Sequence, residues 1–167
     1  MKEGRKLNRT ITFKISEEED EFLDEVINRF FKRSGLKISK GTLIRRYCNH
    51  AKLMMNCPKY IQSQYNIDGL LDIRVYDVSK ITNRKQETLK KKRKGELIND
   101  SFKVNKIMKF RLSEEDRHVM EMKKKDIEKM TGINLSMADF IRFCINAERD
   151  YMKIQDKGQE NHKDKKE

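Results

Sequence analysis

The chain has 167 residues with 40% charged and 36% hydrophobic side chains, a balance that excludes one large apolar core and confines apolar positions to narrow faces of short elements. Its formal net charge of +12 and pI near 9.6 favour a polyanionic partner, nucleic acid ahead of an anionic membrane surface. No run of about eighteen apolar residues occurs, and MKEGRKLNRT lacks an apolar segment, so the expectation is a cytoplasmic chain that neither spans a membrane nor carries a standard secretion signal. Cys48, Cys57 and Cys144 form no CxxC pair and leave an odd thiol, which suits a reducing compartment.

The first element predicted is a strand, because Ile11, Phe13 and Ile15 alternate with Thr10, Thr12 and Lys14. Ser16 followed by Glu19 reads as a helix N-cap, and the acidic cluster from Glu17 to Glu21 sits where the helix dipole favours negative charge. The helix it opens buries a stripe of Phe22, Leu23, Val26, Ile27, Phe30 and Phe31 and ends at Gly35. A second helix starts at Ser39, carries Leu43, Ile44, Tyr47, Cys48 and Ala51 inward, and stops before Pro58.

Residues 56–105 read as a partly ordered basic linker: GLLDIRVYDVS at 69–79 as a strand or buried turn, and KQETLKKKRKGEL at 85–97 as a helix or flexible arm. The first pattern then returns. FKISEE at 13–18 becomes FRLSEE at 110–115, and the offset of 97 holds without a gap over residues 9–51. Gly35, Ser39, Arg45 and Asn49 recur as Gly132, Ser136, Arg142 and Asn146. Met108, Phe110 and Leu112 alternate with Ile107, Lys109 and Arg111, and Ser113 with Asp116 forms the next cap. The first helix of this copy is poorer, with Val119, Met120, Ile127 and Met130, and with Lys123 and Lys124 in place of Val26 and Ile27. Its second helix carries Phe140, Ile141, Cys144, Ile145 and Tyr151 and frays beyond Met152, leaving 153–167 as a disordered tail.

A strand followed by two amphipathic helices cannot bury its own apolar faces, so each copy requires another. This order of strand, capped helix, glycine turn and Ser-capped helix, with ISKGTLIRR and LSMADFIRF, resembles the ribbon-helix-helix DNA-binding family of the Arc and MetJ type. The resemblance covers units at 9–55 and 106–152 and implies a mainly α fold with a short antiparallel β-ribbon, here a pseudo-dimer within one chain. It implies that the ribbon enters the major groove of double-stranded DNA, where outward strand residues meet base edges. Mapped onto this chain, the base readers are Thr10, Thr12, Lys14, Lys109 and Arg111, with Ile107 offering an apolar contact. Ser39, Lys40, Gly41 and Ser136 at the second-helix N-termini, with Arg9 and Lys106, are the phosphate-binding set. Met137, Ala138 and Asp139 depart from the small polar or basic residue the family often carries after that cap.

Lys2, Arg5, Lys6 and Arg9 form a basic arm, and KKKRK at 90–94 adds salt-sensitive phosphate affinity or keeps the linker solvated. A flexible linker of this length reaches about 40 Å, enough for the two strands to pair within the chain and read an asymmetric DNA site. The expected state is a monomer with an internal pseudo-two-fold, or a higher assembly on DNA. No GxxxxGK[ST], GxSxG or HExxH occurs and His50, His118 and His162 are scattered, so neither enzyme chemistry nor a cofactor is expected. Cys48, His50 and Cys57 match no common zinc spacing and no metal is expected; Cys48 and Cys144 read as core thiols, and Tyr47, Tyr60 and Tyr65 lack the histidines a strand-transfer site needs. The functional expectation is a sequence-specific transcriptional repressor. The alternatives are an accessory DNA-binding protein of a plasmid transfer origin or partition system, and a protein-interaction module without DNA binding.

Overall fold

The computed structural model describes residues 7–56, 74–79, 81 and 104–163. The expected arm at Lys2, Arg5 and Lys6, the 90–94 run, Cys57, Pro58, Tyr60 and Tyr65 lie outside them, as does most of the 56–105 linker. Strand β1 (Arg9–Ser16) leads into helix α1 (Glu17–Ser34), followed by α2 (Lys40–His50) and a short strand β2 (Ala51–Met54). Strand β3 (Arg74–Asp77) precedes β4 (Val104–Leu112), α3 (Glu114–Thr131) and α4 (Met137–Lys163). The architecture is mainly helical around a two-stranded antiparallel ribbon, β1 with β4. No described helix is long and apolar enough to cross a membrane.

The caps form as the sequence dictates. Ser16 Oγ accepts the Glu19 amide at 3.1 Å and Ser113 Oγ accepts the Asp116 amide at 3.0 Å, so each strand passes into its helix with an orphan donor satisfied. Asp116 also returns its carboxylate to the Ser113 amide, completing a capping box. At the other ends Gly35 and Gly132 take φ of 70° and 69°, left-handed values that a Cβ would strain, and their amides close on Phe31 and Glu128 carbonyls.

The ribbon places Phe13, Ile15, Phe110 and Leu112 inward and buries them. Phe13 and Phe110, the equivalent positions of the two copies, meet edge to face with centroids 5.9 Å apart. Beneath them α2 supplies Leu43, Ile44, Tyr47 and Cys48, and α4 supplies Phe140, Ile141, Cys144 and Ile145, forming one core. Burial raises the Cys144 thiol well above its ordinary pKa, and the contact with Cys48 adds to this, so it stays a protonated core hydrophobe. The α1 stripe is shallower than its periodicity predicts. Phe22 and Leu23 are buried, Val26, Ile27 and Phe30 are half-buried, and Phe31 is 44% exposed with Lys37 Nζ 5.9 Å from its ring centre.

Three boundaries differ from expectation. The first unit's second helix stops before Pro58 as expected but ends at His50, so Ala51 opens β2 instead of lying on the helix: Lys123 Nζ caps the helix, donating to the Asn49 carbonyl at 2.7 Å. Burial against that helix end lowers the Lys123 pKa. The lysines replacing Val26 and Ile27 are thereby explained, since Lys124 likewise donates to the Leu135 carbonyl. The second boundary is α4, which does not fray at Met152 but continues to Lys163, so 153–163 is helix rather than disordered tail, and Arg29 on α1 grips Asp156 at 3.2 and 3.3 Å. The third is a parallel β2–β3 pair, in which Ala51–Met54, with no strand expected there, lies beside Arg74–Asp77, within the 69–79 stretch expected as a strand or buried turn.

The copies are also joined by a buried ion pair. Glu19 is 1% exposed and Arg142 of the other copy holds it with a guanidinium fork at 3.0 to 3.3 Å. Arg142→Ala, which strands that carboxylate, is expected to cost about 3 kcal/mol or more in urea unfolding, whereas replacing Glu19 and Arg142 together by leucine costs much less. Equal losses in the two variants would show that the pair is not desolvated.

Candidate nucleic-acid interface

One face of the ribbon is left uncovered. Thr10, Thr12, Lys14, Ile107, Lys109 and Arg111 are all exposed, alternating with the buried inward residues along both strands. The register sets Thr10 opposite Arg111, Thr12 opposite Lys109 and Lys14 opposite Ile107. The six expected readers therefore form one contiguous row of three cross-strand pairs. Among the described residues, no acidic side chain pairs with Lys14, Lys109 or Arg111, so the row carries three uncompensated cations. Its backbone is held firmly: Arg45 on α2 donates to the Arg111 carbonyl and also reaches Thr42 Oγ1 at 3.2 Å.

The expected phosphate set is arranged less uniformly. Ser39 caps α2, its Oγ accepting the Thr42 amide at 3.1 Å, and Ser136 caps α4, its Oγ accepting the Asp139 amide at 3.1 Å. The two N-termini differ in charge, because Asp139 turns its carboxylate back onto the Ser136 amide at 3.3 Å whereas Thr42 stands at the equivalent place in α2. An anion is attracted to the first terminus and opposed at the second. Gly41 has a packing role: a Cβ there would stand 3.0 Å from Phe110 Cβ, so glycine lets α2 approach the ribbon.

Lys40, Lys106 and Arg9 are engaged within the protein. Asp20 accepts from Lys40 at 2.7 Å and from Lys106 at 2.9 Å, and Lys40 also pairs with Asp24 at 3.1 Å. Arg9 pairs with Glu114 at the exposed start of the ribbon. Burial alone would raise the Asp20 pKa, but the hydrogen bonds and charges of the two lysines outweigh it and hold the carboxyl below its ordinary value. Two lysines from α2 and β4 are thus fixed at one carboxylate beside the ribbon.

Sequence reasoning missed Arg45, Asn49 and Asp20. Arg45 and Asn49 recur in the second copy, a signal of shared structure, yet their contacts differ: Asn49 donates to Asp116 at 3.0 Å, while its equivalent Asn146 bonds the Arg142 carbonyl of its own helix. The outer face of α2 is open, with Thr42, Arg45, Arg46, Asn49 and His50 lining a groove beside Leu7. The corresponding face of α4 is covered by β3, where Tyr76 meets the Phe143 ring at 6.2 Å and donates to Glu148 at 2.9 Å. Among the described residues no cluster of three His, Cys, Asp or Glu side chains could hold a metal ion. No family model matches the chain, and searches of curated proteins and of solved structures return no match.

The Asp20 cluster yields a stability prediction. A carboxyl whose folded pKa lies below its unfolded value of 3.8 stabilises the fold above that pH, and the contribution disappears as pH falls through the folded value. Asp20→Asn should lower stability at neutral pH by roughly 1–2 kcal/mol, because two charge-assisted bonds are lost from partly exposed lysines. The difference from wild type should shrink below pH 3.8, checked by thermal melts across the acid range.

Proposed function

We propose that this protein is a tandem ribbon-helix-helix protein that binds double-stranded DNA sequence-specifically, inserting the β1–β4 ribbon into the major groove, and that it acts as a transcriptional repressor. The observation that carries the reading is the exposed row of the ribbon. A ribbon of two strands fits the major groove, and lysine, arginine and threonine are side chains that meet base edges there. Three of its six outward residues are cations without ion-pair partners among the described residues, on a chain of net charge +12.

The pseudo-dimer within one chain is supported by the register. Thr12 and Lys109 are equivalent positions of the two copies and face each other across the ribbon, as positions on a two-fold axis must. The polar links between copies run both ways: Arg142 of the second reaches Glu19 of the first, and Asn49 of the first reaches Asp116 of the second. The protein is then one reading head per chain, cytoplasmic, and needs no second copy to complete the ribbon.

Lys40, Ser39 and Thr42 at the α2 N-terminus serve the phosphate backbone on one side of the groove, with Lys40 exchanging Asp20 and Asp24 for phosphate. The exposed Arg9–Glu114 pair opens in the same way at little cost. Binding is therefore salt-dependent in its phosphate part and sequence-dependent in its ribbon part.

Selection of bound duplexes from random DNA at physiological salt should enrich one sequence. Arg111→Gln should weaken binding by roughly 1–3 kcal/mol at its own base pair and little at others. Equal binding of scrambled DNA, or no shift of any DNA at low salt, would leave a protein-interaction module as the better account. Light scattering of the free protein should give the mass of a single chain of 20.1 kDa.

A further inference from the structure

The two copies pair about the Thr12–Lys109 position, so the ribbon row divides into three equivalent sets: Thr10 with Ile107, Thr12 with Lys109, and Lys14 with Arg111. These sets differ sharply in chemistry. Lys14 and Arg111 are both long cations, and the register puts them at opposite ends of the row, four residues apart along the strands or about 14 Å. Each donates to the O6 and N7 acceptors of guanine, arginine with a fixed fork and lysine as a point charge. Near the axis the copies disagree. Lys109 has a long ammonium where Thr12 has a short hydroxyl, so only one of the two side chains is long enough to span the axis. Ile107 is 67% exposed on this otherwise polar face and has no hydrogen-bonding group, whereas its counterpart Thr10 offers both a methyl and a hydroxyl. An exposed apolar side chain there finds an apolar partner in the groove only at the thymine C5-methyl.

We propose, resting on the ribbon's reading of DNA, that the target is palindromic at two outer guanines read by Lys14 and Arg111. Its asymmetry is confined to the base pairs beneath Lys109 and Ile107, and those two residues set which way round the protein sits. The guanine at the Arg111 end discriminates more strongly than the one at the Lys14 end, because only the guanidinium grips both acceptors in a fixed plane. The base beneath Ile107 is thymine, and removing its methyl weakens binding without affecting any hydrogen bond.

The test uses the full chain and a second variant, Ile107→Thr with Lys109→Thr, which gives both strands threonine at these positions. Both sites are exposed, so thermal melts of the two proteins should coincide. Sequence selection on the wild type should give two outer guanines related by a two-fold, with an unequal centre and a thymine on one side. The double variant should keep the guanines and select a site that is palindromic throughout. Replacing the wild-type thymine by uracil should weaken wild-type binding several-fold and the double variant, whose threonine in place of Ile107 keeps only one methyl, by less. Guanines not related by a two-fold, or a double variant that keeps the wild-type asymmetry, would overturn the proposal while sequence-specific binding stands. Absence of any enriched sequence in the wild type would instead overturn the ribbon's DNA reading, and this proposal with it.

Discussion

Pairing of β1 with β4 is the constraint from which the rest of the molecule follows. Two short strands distant in sequence satisfy each other's backbone groups and, by alternation, turn six apolar side chains to one side and six outward side chains to the other. The helices pack against the apolar side. Gly41 lets α2 come close to Phe110, and Arg45 holds the Arg111 carbonyl, so the position of the outer row is tied to the core beneath it. A change in register by one residue would bury Lys14 and Arg111 and expose Phe13 and Phe110, which the core forbids.

The repeated sequence does not produce repeated contacts. Glu19 and Asp116 are equivalent and differ by one methylene, yet Glu19 extends to Arg142 of the other copy while Asp116 folds back onto its own cap and receives Asn49. The shorter side chain completes the capping box on its own helix. The same divergence appears at the second helices. Thr42 leaves the α2 N-terminus open to anions, Asp139 closes that of α4, and β3 covers Phe143 of α4 where Arg46 of α2 remains exposed. One copy thus presents a basic, accessible flank, and the other supplies more of the buried scaffold.

Much of this was legible in the chain because it is local. A serine with an acidic residue three positions on predicts a cap, a glycine after an apolar stripe predicts a left-handed stop, and period-two alternation predicts which strand residues face out. The six outward residues follow from alternation alone, before any partner strand is known. The partners of Lys40, Lys106 and Arg142 were not legible, because each lies on a different element and a side chain's charge does not say which opposite charge it will meet. The early end of α2 was hidden for the same reason, since the ammonium that caps it comes from Lys123, 74 residues further on. The length of α4 was hidden because a polar run reads as tail until a distant arginine, Arg29, ties Asp156 down.

The sequence by itself determined the elements, their caps and the division of each strand into an inward and an outward face, because these depend on spacing within a few residues. Only the tertiary structure decided that β1 and β4 belong to one ribbon, that Thr12 lies opposite Lys109, and that Asp20 gathers lysines from two other elements. Those relations depend on contacts across most of the chain length. Such contacts form only when the shared core closes and brings the two copies within hydrogen-bonding distance.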